Sequence, residues 1–197
     1  QEYWGILLEG NIHRLIGDLY DSPGVGEKIC SLDEAVFLPP LQNINKVPAI
    51  AANYGEKDER DGPGIFMKQP GTYLEHGGQI IYPRGCKTVI HEAELGIVIG
   101  KKARHVEEVN ALQYVLGYTC VNDVSGREMK ESDQGKGLSM RWKHFDTFCP
   151  MGPFIETNVE SPMDLDIECF VNGELSVSGN TSGMIFSVPK LISWVSE

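Results

Sequence analysis

Glu92 and Glu94 are the residues of this chain best placed to do chemistry, in the stretch His91-Glu92-Ala93-Glu94-Leu95-Gly96-Ile97-Val98-Ile99-Gly100. Alternate side chains of a strand share a face, so the two carboxylates point the same way. Leu95, Ile97, Val98 and Ile99 beyond them are apolar enough to lie in a core. Like charges at the mouth of a buried strand repel unless something neutralises them. A hard divalent cation, which takes oxygen ligands, is the simplest neutraliser. Asp123 ends a second apolar segment that starts at Gly117, and so can complete a set of three carboxylates. The competing reading is that each carboxylate pairs with a lysine or arginine, or sits solvated at a strand end.

The elements that must position these groups belong to a chain of ordinary globular make-up. At 197 residues, 41% hydrophobic and 23% charged, it suits one domain with a small appendage. A net charge of −11 disfavours nucleic acid or an anionic membrane as partner, since both call for a basic surface. An anionic substrate therefore has to be met by a local cationic site. No apolar run approaches the ~20 residues of a membrane span, and no secretory leader pattern opens the chain. Five cysteines (Cys30, Cys86, Cys120, Cys149 and Cys169) lack CxxC spacing. They read as reduced thiols in a cytosolic-type compartment, which argues against a thiolate zinc site. Cys149 lies nearest the chemistry-bearing segments, and a buried structural thiol is the expectation there.

Residues 3–16 alternate around Glu9-Gly10-Asn11, the pattern of a β-hairpin. Ser31 caps a short helical turn, with Glu34 as its capping-box partner. Pro39-Pro40 then marks a boundary. The expected organisation is a small N-terminal β element over 1–42 and a main domain over 43–197. In the latter, strands are expected at 46–52, 65–68, 79–82, 92–100 and 118–124. A helix through Val106, Val109, Leu112 and Val115 would end at Gly117. Residues 125–142 read as a surface loop or short helix. A strand at 165–171 turns at Asn172-Gly173, a strong hairpin signal. Ser187 caps a last helix, with Pro189 in its first turn, and that helical pattern runs to Glu197.

Taken together, five segments resemble the fumarylacetoacetate hydrolase (FAH) superfamily in order and approximate spacing. They are Ile65-Phe66-Met67-Lys68-Gln69-Pro70, Glu92 to Gly100, Gly117 to Ser125, Lys143-His144-Phe145-Asp146-Thr147-Phe148-Cys149-Pro150, and Asn180-Thr181-Ser182-Gly183. The resemblance spans about 46–195. It implies a mostly β (α+β) fold of rolled mixed-sheet type and a homodimer. It assigns Glu92, Glu94 and Asp123 to a Mg²⁺, Mn²⁺ or Ca²⁺ ion, Lys143 and Lys68 to the catalytic set, and Thr181 to substrate contact. There are two departures. Where members usually carry a lid histidine after Asn-Tyr, this chain reads Asn53-Tyr54-Gly55-Glu56-Lys57-Asp58-Glu59. The family's C-terminal Gly-Thr-Pro-x-Gly turn also has no counterpart, so the chain is expected to lack that section.

The chemistry implied is metal-dependent work on a small, anionic 2-oxo or 1,3-dioxo acid. Such acids chelate a divalent ion through two oxygens, and the ion stabilises the charge of a metal-bound enolate. Lys143 would add a second positive charge. Hydrolysis also needs a base to activate water, usually histidine. His91 could only orient a ligand, and His144 would face away from Lys143 on a strand, so Glu56 or Glu59 is the substitute base. The missing lid histidine favours isomerisation or decarboxylation, in aromatic-compound catabolism. The alternatives are an acylpyruvate- or fumarylacetoacetate-type hydrolase and a non-catalytic metal-binding relative.

Overall fold

The computed structural model describes residues 2–41, 44–56, 61–133, 136 and 140–197. Contacts divide the chain into two compact units, Gln1–Phe37 and Leu38–Glu197, and the break falls just ahead of Pro39-Pro40. The first unit is an antiparallel sheet of β1 (Gly5–Leu8), β2 (Asn11–Ile16) and β3 (Gly24–Ser31). The hairpin closes at Glu9 and Gly10, both at positive φ. β3 had no counterpart in the sequence pattern, because Pro23 and its two glycines mask the alternation. Glu34 accepts hydrogen bonds from both the N–H and the hydroxyl of Ser31, which completes the capping box on the 3-10 turn Leu32–Glu34.

The second unit is mostly strands. β4 (Val47–Ala51) pairs antiparallel with β5 (Gly64–Lys68), and β6 (Tyr73–Leu74) runs parallel to a later strand, β11. β7 (Val89–Ile90) leads into β8 (Ala93–Ile99), which forms a long antiparallel ladder with β9 (Val115–Asn122). β10 (Ser125–Gly126) returns to β7, and α1 (Arg127–Asp133) comes directly after it. β11 (Cys149–Pro150) precedes the hairpin of β12 (Asp166–Val171) and β13 (Glu174–Asn180). That hairpin turns at Asn172 and Gly173 with φ of 54° and 83°, the two positive values its two-residue turn requires. α2 (Val188–Val195) ends the chain, and the Ser187 hydroxyl accepts the Lys190 N–H as a cap. Among the described residues the ladders form one three-stranded and five two-stranded sheets. This is the expected α+β, mostly β class. Among the described residues no helix is long and apolar enough to cross a membrane.

The structure departs from the sequence-based expectations at several points. The expected helix around Val109 is a 3-10 turn over Glu108–Tyr114, and Val115 already belongs to β9. Its hydrophobes recur every three residues, the 3-10 period rather than the α one. Val109 is exposed, while Val106 and Ala111 enter the core with Tyr118, Val188 and Ile192. Gly117 ends no helix. It lies inside β9, where an added Cβ would sit 2.5 Å from the Glu156 carbonyl oxygen. Residues 79–82 are not a strand. Ile81 instead donates its N–H to the Thr147 hydroxyl. The last helix stops at Val195 rather than running to the end.

Candidate active site

The β8–β9 ladder sets the geometry of the site. Ala93 stands opposite Asn122 and Glu94 opposite Val121. The Asp123 N–H donates to the Glu92 carbonyl at 2.8 Å, which extends the register by one pair. Directly opposed residues share a face, so Glu92, Glu94, Val121 and Asp123 lie on one side. The Asn122 side chain accepts the Glu92 N–H at 3.0 Å and pins the start of the strand. The fully buried Ser125 hydroxyl donates to Glu92 Oε1 at 2.8 Å.

Two lysines enter this face. The Lys143 ammonium donates to Glu92 Oε2 at 2.7 Å and to Asp123 Oδ2 at 2.5 Å, and it lies 5.4 Å from the centre of the Phe66 ring. It comes from the 3-10 turn Arg141–Lys143. The strand geometry assumed for His144 therefore does not apply. The Arg141 guanidinium holds both oxygens of Asp133 at 2.7 and 2.9 Å and so joins that turn to the end of α1. Lys68, 2% exposed, donates to the carbonyls of Lys143 and Phe148 at 2.7 and 2.8 Å. Lys68 closes β5 but its ammonium is turned inward. Its ammonium also lies 2.8 Å from Asp123 Oδ1, so the two lysines take one oxygen each of this carboxylate. Burial pushes the Lys68 ammonium below its ordinary pKa, against the opposing pull of Asp123.

Glu94 differs from its two neighbours. Among the described residues it has no hydrogen-bond or ion-pair partner. Burial first, then the charges of Asp123 and Glu92, raise its pKa to about 7. Tyr54 faces the same charge: partial burial and then Glu94 push its hydroxyl up. Asn53 fixes Tyr54 there, because its side chain donates to the Phe186 carbonyl and accepts the Phe186 N–H. Tyr54 bridges Met184. Nothing in the sequence marked Asn53 as an anchor or Ser125 as a donor to Glu92.

The other candidates lie differently. Thr181 is fully buried and its hydroxyl accepts the Leu165 N–H at 2.9 Å. His91 bonds Ser176 rather than a carboxylate. Burial raises the Cys149 thiol to about 11, the state of an inert structural thiol. Glu56 is exposed, and Glu59 lies outside the described residues. Glu128 accepts hydrogen bonds from the Lys87 and Thr88 N–H groups and the Cys86 thiol. Its pKa falls to about 2, with its own backbone N–H as the leading cause. It fixes the segment that leads into β7. A concavity of about 290 Å³, lined by Ala93, Cys120 and Asn122, lies on the opposite face of the ladder from the carboxylates.

These side chains bear on whether the site suits a divalent cation. Among the described residues no three acidic, histidine or cysteine side chains already stand in metal-ligand geometry, and Lys143 lies between Glu92 and Asp123. Lysine pairing thus accounts for those two carboxylates. It does not account for Glu94, which has no such partner among the described residues. With Glu94 ionised, three carboxylates against two ammonium groups leave one surplus negative charge among oxygen donors. That donor set fits a hard divalent cation.

The chain belongs to the fumarylacetoacetate (FAA) hydrolase family, whose C-terminal domain it matches over residues 41–197. The structure is similar to that of 2-hydroxyhepta-2,4-diene-1,7-dioate isomerase from Mycobacterium marinum. The identity is 34% and the TM-score 0.85, over 94% of this chain and 70% of that one. The 5-carboxymethyl-2-hydroxymuconate delta-isomerase from Mycobacterium smegmatis is 30% identical with a TM-score of 0.83, over 98% and 76% of the two chains. A mitochondrial oxaloacetate tautomerase from Homo sapiens is 37% identical over 172 residues, 83% of this chain. This chain spans 54% of that human relative's length. These three relatives are named as two isomerases and a tautomerase.

Proposed function

We propose that this chain is a divalent-cation-dependent enzyme that moves a proton or breaks a C–C bond next to the carbonyl of a small 2-oxo or 1,3-dioxo carboxylic acid. The observation that carries this reading is the surplus charge. Among the described residues Glu94 stands without a cation or donor of its own, beside Glu92 and Asp123, which share Lys143, and Asp123 pairs with Lys68 as well. Glu92, Glu94 and Asp123 would hold the ion, in the first instance Mg²⁺, with Mn²⁺ or Ca²⁺ as substitutes. When bound, it supplies positive charge against the enolate that forms as the bond breaks or the proton leaves. Lys143 provides a second cation on the same face, and it would turn from Glu92 or Asp123 to the acid's carboxylate once the ion takes those oxygens. Tyr54, held by Asn53, walls the site beside Glu94, and Thr181 is the substrate-contact candidate from the far segment.

Tautomerisation, isomerisation and decarboxylation are preferred over hydrolysis because the position after Asn53-Tyr54 that usually supplies the water-activating histidine has none. His91 is committed to Ser176, and the segment Asn53-Tyr54-Gly55-Glu56-Lys57-Asp58-Glu59 carries no histidine. Dicarboxylic 2-oxo or 2-hydroxy acids are the substrate class that the relatives' names support, and aromatic-compound catabolism is the setting proposed for them. A homodimer in a reducing, cytosolic-type compartment completes the reading. It is tested by following the enol–keto interconversion and decarboxylation of oxaloacetate, and the isomerisation of unsaturated 2-hydroxy diacids, with Mg²⁺ and after chelation. The expected result is acceleration of at least about 100-fold for one of these acids, lost on chelation. Saturable ion binding with no turnover of any of them contradicts it and leaves a non-catalytic relative.

A further inference from the structure

The turn from Lys143 to Phe148 delivers the second cation of the site, and it is strained. Thr147, a β-branched residue, sits at φ 67°, a conformation that persists only where its surroundings enforce it. The Thr147 hydroxyl is held by the Ile81 N–H. The two ends of the turn are held by one group, the Lys68 ammonium, through the carbonyls of Lys143 and Phe148. The same ammonium faces Asp123 Oδ1, while Lys143 takes Asp123 Oδ2 at 2.5 Å. Two of the three Lys68 N–H groups are therefore spent on backbone and the third is directed at a carboxylate. None is left for a substrate.

We propose that Lys68 is a positioning residue, a buried clamp that closes the Lys143–Phe148 turn and so sets Lys143. It acts on the reaction only through Lys143. This rests on the activity proposed above. If Lys68 works through Lys143, its loss costs nothing further once Lys143 is gone. A group touching substrate, or one merely stabilising the fold, gives additive losses instead.

A double-mutant cycle with Lys68→Met and Lys143→Met tests this in single-turnover assays on the acid the wild type accepts. Lys68→Met is expected to lower kcat about 100-fold, the usual cost of a small misplacement, with KM within threefold of wild type. In the Lys143→Met background the further loss is expected to stay below about threefold. Equal losses in both backgrounds, or a KM that rises in step with the fall in kcat, overturns the proposal. Amide hydrogen exchange decides it independently of turnover. Lys143, His144 and Phe148 amides should exchange at least about tenfold faster in Lys68→Met, with Gly96 and Tyr118 unchanged. Unaltered exchange at 143–148 overturns the clamp whether or not the wild type is active. A wild type without turnover, but with the exchange effect, removes the activity proposal and keeps the clamp. Should Lys68→Met not fold, Lys68→Arg keeps charge and donors on a longer head. It is read by the same cycle and exchange measurement, with about a tenfold loss expected.

Discussion

A carboxylate buried beside two others holds its proton to higher pH, and Glu94, at about 7, is that carboxylate. The folded chain therefore binds this proton more tightly than the unfolded chain, whose glutamate titrates near ~4.3. Stability from Glu94 is fully present below that value and is lost as pH rises towards 7. In chelator-treated protein, urea unfolding from pH 4.5 to 8 should show a fall of up to about 3 kcal/mol. Glu94→Gln is expected to flatten that limb. Equal slopes in the two proteins would mean that Glu94 ionises normally. At this scale the sequence was informative about identity and silent about partners. Alternation alone put Glu92 and Glu94 on one face, since that is a consequence of strand geometry. The Ser125 hydroxyl on Glu92 and the Lys68 ammonium on two carbonyls depend on how distant segments meet, which no spacing encodes.

At the scale of elements, legibility tracked the strength of local chemistry. Asn172-Gly173, Ser31 with Glu34, and Ser187 with Pro189 each form what their local preferences demand. The Val106–Val115 stripe does not, because the β9 ladder claims Val115 and tertiary pairing overrides a weak three-residue period. Gly117 is the clearest case of a residue whose reason is tertiary. Its missing side chain lets β9 close on 155–156, where Tyr118 and Glu156 exchange hydrogen bonds at 2.9 and 2.8 Å. Gly117→Ala should cost about 2 kcal/mol by chemical denaturation, the usual size of overpacking a tight contact. A change under about 0.5 kcal/mol would show that this approach is loose.

At the scale of the whole molecule, the long ladder turns two sequence-distant acidic segments into one cluster, and a net charge of −11 makes the surroundings hospitable to cations. The family was legible from five ordered segments, because such an order is hard to produce by chance. The substrate was not, since the walls of the site come from side chains brought together only on folding. The central claim is that Glu92, Glu94 and Asp123 together bind one divalent ion. Calorimetric titration of Mn²⁺ into chelator-stripped protein, with enough salt to screen diffuse attraction, tests it most directly. One site per chain is expected near pH 7, with proton release as Glu94 ionises, and Glu94→Gln should bind at least about tenfold more weakly with that release gone. Absence of saturable binding to the wild type, or equal binding by Glu94→Gln, would contradict the claim.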